Sequence, residues 1–381
     1  VPLGAFLSGG VDSSTVVAIM QAVSGCPVKT FTIGFREHAY DEAVHARRIA
    51  RHLVTEHTEL YVTPDEALAV IPKIPSLYDE PFADSSQIPT CLVSELARRH
   101  VTVSLSGDGG DEAFGGYVRY FWVMRIWDRL RAIPTGLRAL LGECLMAVPP
   151  RHWDRVLGAL HPILPGSFEQ TTPGDKLHKL ARVLAARDPG EMYVGLVSNW
   201  KRPADVVLGA AEPTTPVTDR SQWADLPGFI AQMMYLDALT YLPDEILVKV
   251  DRAAMGRSLE TRVPFLDHRL VEFAWRLPPA MKIRNGEGKW LLRQVLARYV
   301  PRELIERPKS GFAVPIDAWL RGPLREWADA LLDTGRIRED SFFDSGRIRA
   351  CWAEHLDGSR NRQHSLWAIL MFQAWLDAQR N

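Results

Sequence analysis

A doubly wound α/β fold, a parallel sheet flanked by helices and followed by a largely helical C-terminal part, is predicted by three observations. Over residues 1–106 short apolar runs alternate with stretches of helical period. Two glycine-rich turns, Ser8-Gly9-Gly10-Val11-Asp12-Ser13-Ser14 and Ser106-Gly107-Asp108-Gly109-Gly110-Asp111-Glu112, each follow an apolar run and open a helix-like pattern. From about residue 117 onward, Leu-, Ala-, Arg- and Trp-rich segments at helical spacing run to the C-terminus. In a sheet of this kind ligands sit at the carboxyl ends of the strands, where both turns fall.

The elements follow in order. LGAFL (3–7) and VKTFTIGF (28–35) read as strands around a helical 13–23. DEAVHARRIARHL (41–53) has helical spacing, EHTELYV (56–62) alternates like a strand, and a helix at 88–99 precedes the strand VTVSLS (101–106). This divides the chain into a nucleotide-type α/β core, 1–116, and a mainly helical part, 117–381, that completes the site. Prolines at 149–150, 162–165 and 213–216 break the helical part. The final helix carries Leu366, Trp367, Leu370, Phe372 and Trp375, a stripe expected to pack into a core.

Composition excludes several classes. The chain has 381 residues, 46% hydrophobic and 24% charged, as a globular protein does. Its 45 basic and 46 acidic residues leave a net charge of -1, with no basic field to hold a nucleic acid. Cys26, Cys91, Cys144 and Cys351 form no CxxC pair, which argues against a zinc site or disulfide framework and for a reducing, cytoplasmic setting. No run approaches a membrane span, so no membrane partner is expected. The chain enters a strand within two residues of Val1, and an N-terminal segment is expected to be missing.

A strand-to-helix turn aims backbone N–H groups and the positive end of a helix dipole at one point. Gly9 and Gly10 admit a ligand to the backbone, and Ser8, Ser13 and Ser14 add hydroxyl donors. The result is an anion cradle suited to phosphate. Asp12 inside it would repel phosphate unless a cation intervened, and Mg²⁺ binds through one or two carboxylates plus phosphate oxygens. The alternative is a tight turn with serine and aspartate capping the helix. The acids of the second turn could likewise bind Mg²⁺ or cap the next helix. Neither GxxxxGK[ST] nor GxGxxG occurs.

The first loop resembles the pyrophosphate loop of ATP pyrophosphatases, the PP-loop or adenine-nucleotide alpha-hydrolase type of fold. SGDGGDEAFGGY, SLETRVPFLDHRLVEFAWRLP (258–278), GKWLLRQVL (288–296) and RPKSGFAVPIDAWL (307–320) narrow the resemblance to the glutamine-hydrolysing asparagine synthetase family, over essentially the whole chain. The resemblance implies a ligase that adenylates the side-chain carboxylate of aspartate with ATP, releases pyrophosphate, and transfers ammonia to give asparagine and AMP. It implies that Ser8, Gly9, Gly10, Asp12, Ser13 and Ser14 cradle pyrophosphate, and that Asp12 and Asp111 hold Mg²⁺. Leu7 and Ile33 would offer backbone groups to adenine, with Ser106 and Gly107 against the nucleotide. Lys289 matches the family's lysine that stabilises charge on the phosphates and the intermediate, and Lys309 is a second candidate for that anion.

Departures from the pattern shape the expectations. Asp108 stands where many members have glutamate, as the group acting on the tetrahedral intermediate. Asp84, Ser85, Ser86 and Gln87 occupy a stretch that some members use for aspartate recognition, which leaves the acceptor carboxylate open. Glu260 and Arg262 read as residues behind the site or as a structural ion pair. The family's N-terminal glutaminase domain is expected to lie in the missing N-terminal segment of a longer protein, and this chain by itself is expected to use free ammonia; a homodimer is the candidate assembly. The alternatives are a relative acting on a polysaccharide, peptide or β-lactam precursor, and a nucleotide-binding module without catalysis. A tRNA-modifying relative would need a basic face.

Overall fold

The computed structural model describes residues 1–35, 41–159, 173–200, 202–306 and 314–380. Five strands, β1 (Leu3–Phe6), β2 (Lys29–Phe35), β3 (Glu56–Val62), β4 (Val103–Leu105) and β5 (Glu260–Arg262), form one sheet in the order β3-β2-β1-β4-β5. Every pairing is parallel. The chain moves outward from β1 through α1 (Val11–Val23) to β2 and through α2 (Ala43–Leu53) to β3, then returns to the other side of β1. That reversal between β1 and β4 is a topological switch point, the place beyond the strand ends where ligands bind in open α/β sheets.

The expected strands and helices of the first 106 residues are all present, within about two residues at each end. The strand β5 was not expected. Its three residues, Glu-Thr-Arg, are polar, and it is the sheet's edge, where charged side chains are common. Glu260 and Arg262 form an exposed ion pair there at 2.6 Å, as one of the two sequence readings had it.

The described residues fall into two compact units. One comprises Val1–Asp79, Asp84–Phe121 and Ser221–Val314; the other comprises Glu80–Ala83, Trp122–Arg220 and Pro315–Asn381. In the first, α1 is buried over six consecutive residues, Ser13 to Ala18, because its start is sunk beneath neighbouring elements. One core joins Ala5 and Leu7 to Val17, Ala18, Ile49 and Leu296. A second joins Val16, Phe114, Phe265 and Leu292, so the helix Trp290–Leu296 serves both. That shared helix fixes Lys289, the residue preceding it, against the strand-end loops.

The second unit is helical. Proline starts the helices Pro150–Ala159, Pro173–Val183 and Pro189–Val197, where its missing N–H would be unpaired anyway. In the last helix, Gln363–Arg380, Leu366, Trp367 and Leu370 are fully buried, and the ring of Phe372 meets Phe342, Phe343 and Trp375. The expected core stripe is therefore a core stripe. Among the described residues no helix is long and apolar enough to cross a membrane.

Candidate active site

The β1–α1 loop is not a side-chain-capped turn. Gly10 is the N-cap residue, and no side chain caps the 13-residue helix, whose first-turn N–H groups point toward the loop. Ser8 and Ser13 share a hydroxyl–hydroxyl hydrogen bond of 3.0 Å, and Gly10 N–H donates to Ser8 Oγ at 3.3 Å. These contacts shape the loop without filling it. Gly9 has φ +76°, and a Cβ there would press on the backbone of Ala46 at 2.9 Å, so only glycine lets the loop back onto the start of α2. Ser14 is fully enclosed, and its hydroxyl finds no partner among the described residues.

The β4 loop closes on this cradle. A Cβ on Gly107 would lie 2.6 Å from Ser13 N, closer than real contacts allow. Gly107→Ala is therefore expected to destabilise the fold by about 1–3 kcal/mol, the range for overpacking a tight site. It should also push the two loops apart, read as a lower melting temperature together with weaker nucleotide binding. Unchanged values for both would contradict the close approach.

Three charged groups meet where the loops touch. Lys289 Nζ lies 2.8 Å from Asp111 Oδ1 and makes a shorter ion pair with Asp12 Oδ2. Its side chain is only 7% exposed, whereas a lysine beginning a helix ordinarily reaches solvent. Burial lowers its pKa, but the two carboxylates outweigh burial and hold it above the usual lysine value. It is thus a fixed cation. Asp111 and Glu112 do not cap the short helix Gly110–Phe114, which has no side-chain cap. Asp111 turns to Lys289, and Glu112, buried, accepts a 2.6 Å hydrogen bond from Tyr117.

Two carboxylates that share one ammonium stand close enough to share one metal ion. Among the described residues no group of three or more His, Cys, Asp or Glu could hold a metal alone. Two carboxylates are the kind of donor set that Mg²⁺ uses when phosphate oxygens and water complete its shell.

The other expected residues surround this point. Leu7 N–H continues the sheet to Phe31 O at 2.9 Å. Beyond Phe31, β2 pairs with β3 only, so Ile33 lies on a stretch of strand edge above the end of β1. Ser106 donates a short hydrogen bond to Asp108 Oδ2. Burial pushes the Asp108 carboxyl up, and the Ser106 hydroxyl and nearby Lys249 and Lys289 offset that only partly. Asp108 consequently keeps its proton to higher pH than an exposed aspartate. Lys309 lies outside the described residues.

Residues beyond the expected set complete the interior. Lys249 donates to Asp84 Oδ2 at 2.7 Å and to Ser86 Oγ at 2.8 Å, and the Ser86 hydroxyl donates to Asp84. Burial raises the Asp84 pKa, yet Lys249 and Ser86 bring it below the ordinary value. The sequence signal for Lys249 was a lone lysine within the apolar EILVKV run. Glu245, four residues earlier on a π-helical segment (Leu242–Leu247), is pushed up to about 7, chiefly by burial and then by Asp84.

Removing Lys249 would leave Asp84 as a buried, unpaired charge. Lys249→Met is expected to cost about 3–5 kcal/mol at pH 7. In the variant the folded-state pKa of Asp84 lies above its unfolded value, so stability falls as pH rises. The gap to the wild type should narrow from pH 7 toward pH 4, measurable by urea melts. A gap independent of pH would contradict the pairing.

The sequence pattern that defines the asparagine synthase family matches residues 1–377. The chain belongs to the asparagine synthase family. Among its relatives, the glutamine-hydrolysing asparagine synthetase 1 of Bacillus subtilis is 30% identical, covering 98% of this chain and 56% of that protein. A Mycobacterium bovis protein given the same enzyme name provisionally is 36% identical, covering 98% of this chain and 54% of its own length. The amidase chry2 of Gibberella zeae is 25% identical over 96% of this chain and 56% of its own. This asparagine synthase family chain thus spans about half the length of the relatives it matches.

Proposed function

We propose that this chain is the synthetase part of an ATP-dependent amide-forming ligase that activates a carboxylate as its adenylate, with aspartate as the acceptor and ammonia as the nucleophile. The observation that carries the reading is the convergence of Asp12, Asp111 and Lys289 on one buried point beside an uncapped helix N-terminus. A fixed cation and oriented N–H groups there match the charge that develops on departing pyrophosphate.

In this reading ATP lies in the switch-point crevice, with adenine along the edge of β2 near Leu7 and Ile33 and the phosphates over Ser8–Ser13. The acceptor carboxylate attacks the α-phosphorus; the bond to the bridging oxygen breaks, and pyrophosphate leaves against Lys289 and the α1 N–H groups. Asp12 and Asp111 would hold Mg²⁺, which supplies neutralisation of the leaving group's charge. Ammonia then attacks the acyl-adenylate and AMP departs. The nitrogen must shed a proton, and we assign that step to the ionised form of Asp108, whose raised pKa makes it a stronger base than an exposed aspartate.

Ammonia is the expected nucleophile for this chain by itself. A glutaminase domain is the expected source in a longer protein, since the relatives named for glutamine hydrolysis extend beyond the match. The amidase-named relative favours a second reading, in which the same apparatus serves another carboxylate.

The test is product formation from ATP, Mg²⁺ and ammonium with and without L-aspartate, with Asp12→Ala as control. Aspartate-dependent formation of asparagine and AMP, lost in the control, is the expected result. AMP formation that ignores aspartate but responds to another carboxylate would move the acceptor; no nucleotide turnover with any acceptor would defeat the ligase reading.

A further inference from the structure

The turn that seats Lys289 is held from behind by a buried aromatic and ionic brace. Lys289 N–H donates to Phe114 O at 3.0 Å, and Gly116 N–H donates to Asp111 O at 2.9 Å. A Cβ on Gly116 would overlap both the Lys289 chain and the Asp111 carboxylate, and one on Gly288 would overlap Gly115 O. The backbone of 114–117 is therefore the wall against which Asp111 and Lys289 are aligned. Any drift of that wall moves both groups.

Five contacts prevent the drift. The Tyr117 hydroxyl donates to Glu112 Oε1 at 2.6 Å, next in sequence to Asp111. The Arg119 guanidinium lies 3.8 Å over the Tyr117 ring and 4.9 Å from the Tyr241 ring. The same guanidinium pairs with the fully buried Asp237 at 2.7 Å, and the Tyr120 hydroxyl donates to the same carboxylate oxygen at 2.5 Å. Asp237 sits on the helix Phe229–Leu239, so the brace ties the wall to a separate element. Arginine suits the position because one planar group stacks and forks at once, which lysine cannot do.

We infer that Tyr117 and Arg119 are positioning residues: they fix the relative placement of Asp111 and Lys289, and through them the Mg²⁺ requirement of nucleotide binding. The inference rests on the reading of Asp12, Asp111 and Lys289 given above. Partners standing behind metal ligands change metal affinity or activity by about 10–100-fold when removed.

The experiment uses the full chain and the variants Tyr117→Phe, Arg119→Lys and Asp237→Asn. Calorimetric titration with ATP over a series of Mg²⁺ concentrations gives the Mg²⁺ level at half-maximal affinity, and thermal melts without ligand report folding. Tyr117→Phe, which removes one hydroxyl, keeps the assay open if the ion-pair variants fail to fold. The expected result is a rise of about 10-fold in the Mg²⁺ requirement in Tyr117→Phe. Arg119→Lys should rise likewise despite its retained charge.

A wild-type Mg²⁺ requirement in Tyr117→Phe and in the folded ion-pair variants, with only the melting temperature lowered, would overturn the inference and leave a merely structural brace. The two readings separate cleanly. A wild type that binds ATP in an Mg²⁺-dependent way but turns nothing over fails the ligase reading, while the variant shift still decides the positioning role. Binding that Mg²⁺ does not strengthen in the wild type overturns the positioning role and leaves the ligase reading to the turnover assay.

Discussion

Replacing Lys289 with methionine is expected to lower the rate of the proposed pyrophosphate release by about 10²–10³-fold, the range seen when one preorganised charge-stabilising group is removed from a water-excluded site. Methionine keeps the length and apolar contacts of the side chain, so the loss isolates the charge. The variant also leaves Asp12 and Asp111 facing one another without their common partner. One of them must then hold a proton in the folded state, its pKa above the unfolded value. Stability contributed at that point is present in acid and lost as pH rises, so the variant's deficit should grow from pH 4 to pH 8 in the absence of Mg²⁺. Mg²⁺ itself should restore part of it by replacing the ammonium between the carboxylates. Turnover within tenfold of the wild type, measured as pyrophosphate release at saturating ATP, would remove Lys289 from the machinery.

Asp111→Asn produces the second large effect, a fall of about 10²-fold or more in pyrophosphate release with a raised Mg²⁺ requirement. The substitution is nearly isosteric, and Lys289 retains Asp12 as a partner, so the fold should survive. Asparagine donates at one of the two positions where the wild type accepts, which turns a cation ligand partly against the cation. The measurement is the Mg²⁺ dependence of pyrophosphate release compared with the melting temperature. A variant with wild-type Mg²⁺ dependence would show that Asp111 serves only to hold Lys289.

Much of the fold was legible because the sheet is parallel and internal. Its central strands β1, β2 and β4 read as apolar runs, and the turns after β1 and β4 are marked by glycines that the close packing of the loops requires, as at Gly9 and Gly107. The site was legible for the same reason, since Ser8 to Ser14 and Ser106 to Glu112 are contiguous and their adjacency follows from the switch point. Lys289 was legible only through the family's motif, because nothing local distinguishes it from an exposed lysine at a helix start.

The rest depended on pairings across long stretches of chain. Arg119 and Asp237 are 118 residues apart, and Asp84 and Lys249 are 165 apart. A single sequence shows such residues as ordinary charges in helical segments; only burial reveals that each must have a partner. The edge strand β5 escaped for the opposite reason, being short, polar and exposed. Capping readings for both acidic turns fell once the structure placed glycines at the two N-caps.

Under the proposed function the Asp12–Asp111–Lys289 site cleaves ATP between the α and β phosphates. The most direct measurement is ³¹P NMR of ATP incubated with the chain, Mg²⁺, ammonium and L-aspartate, with other amino acids and polymer-borne carboxylates as further acceptors. AMP and pyrophosphate in equal amounts, formed only when an acceptor is present, are the expected products. ADP with inorganic phosphate, or unchanged ATP with every acceptor, would contradict that function.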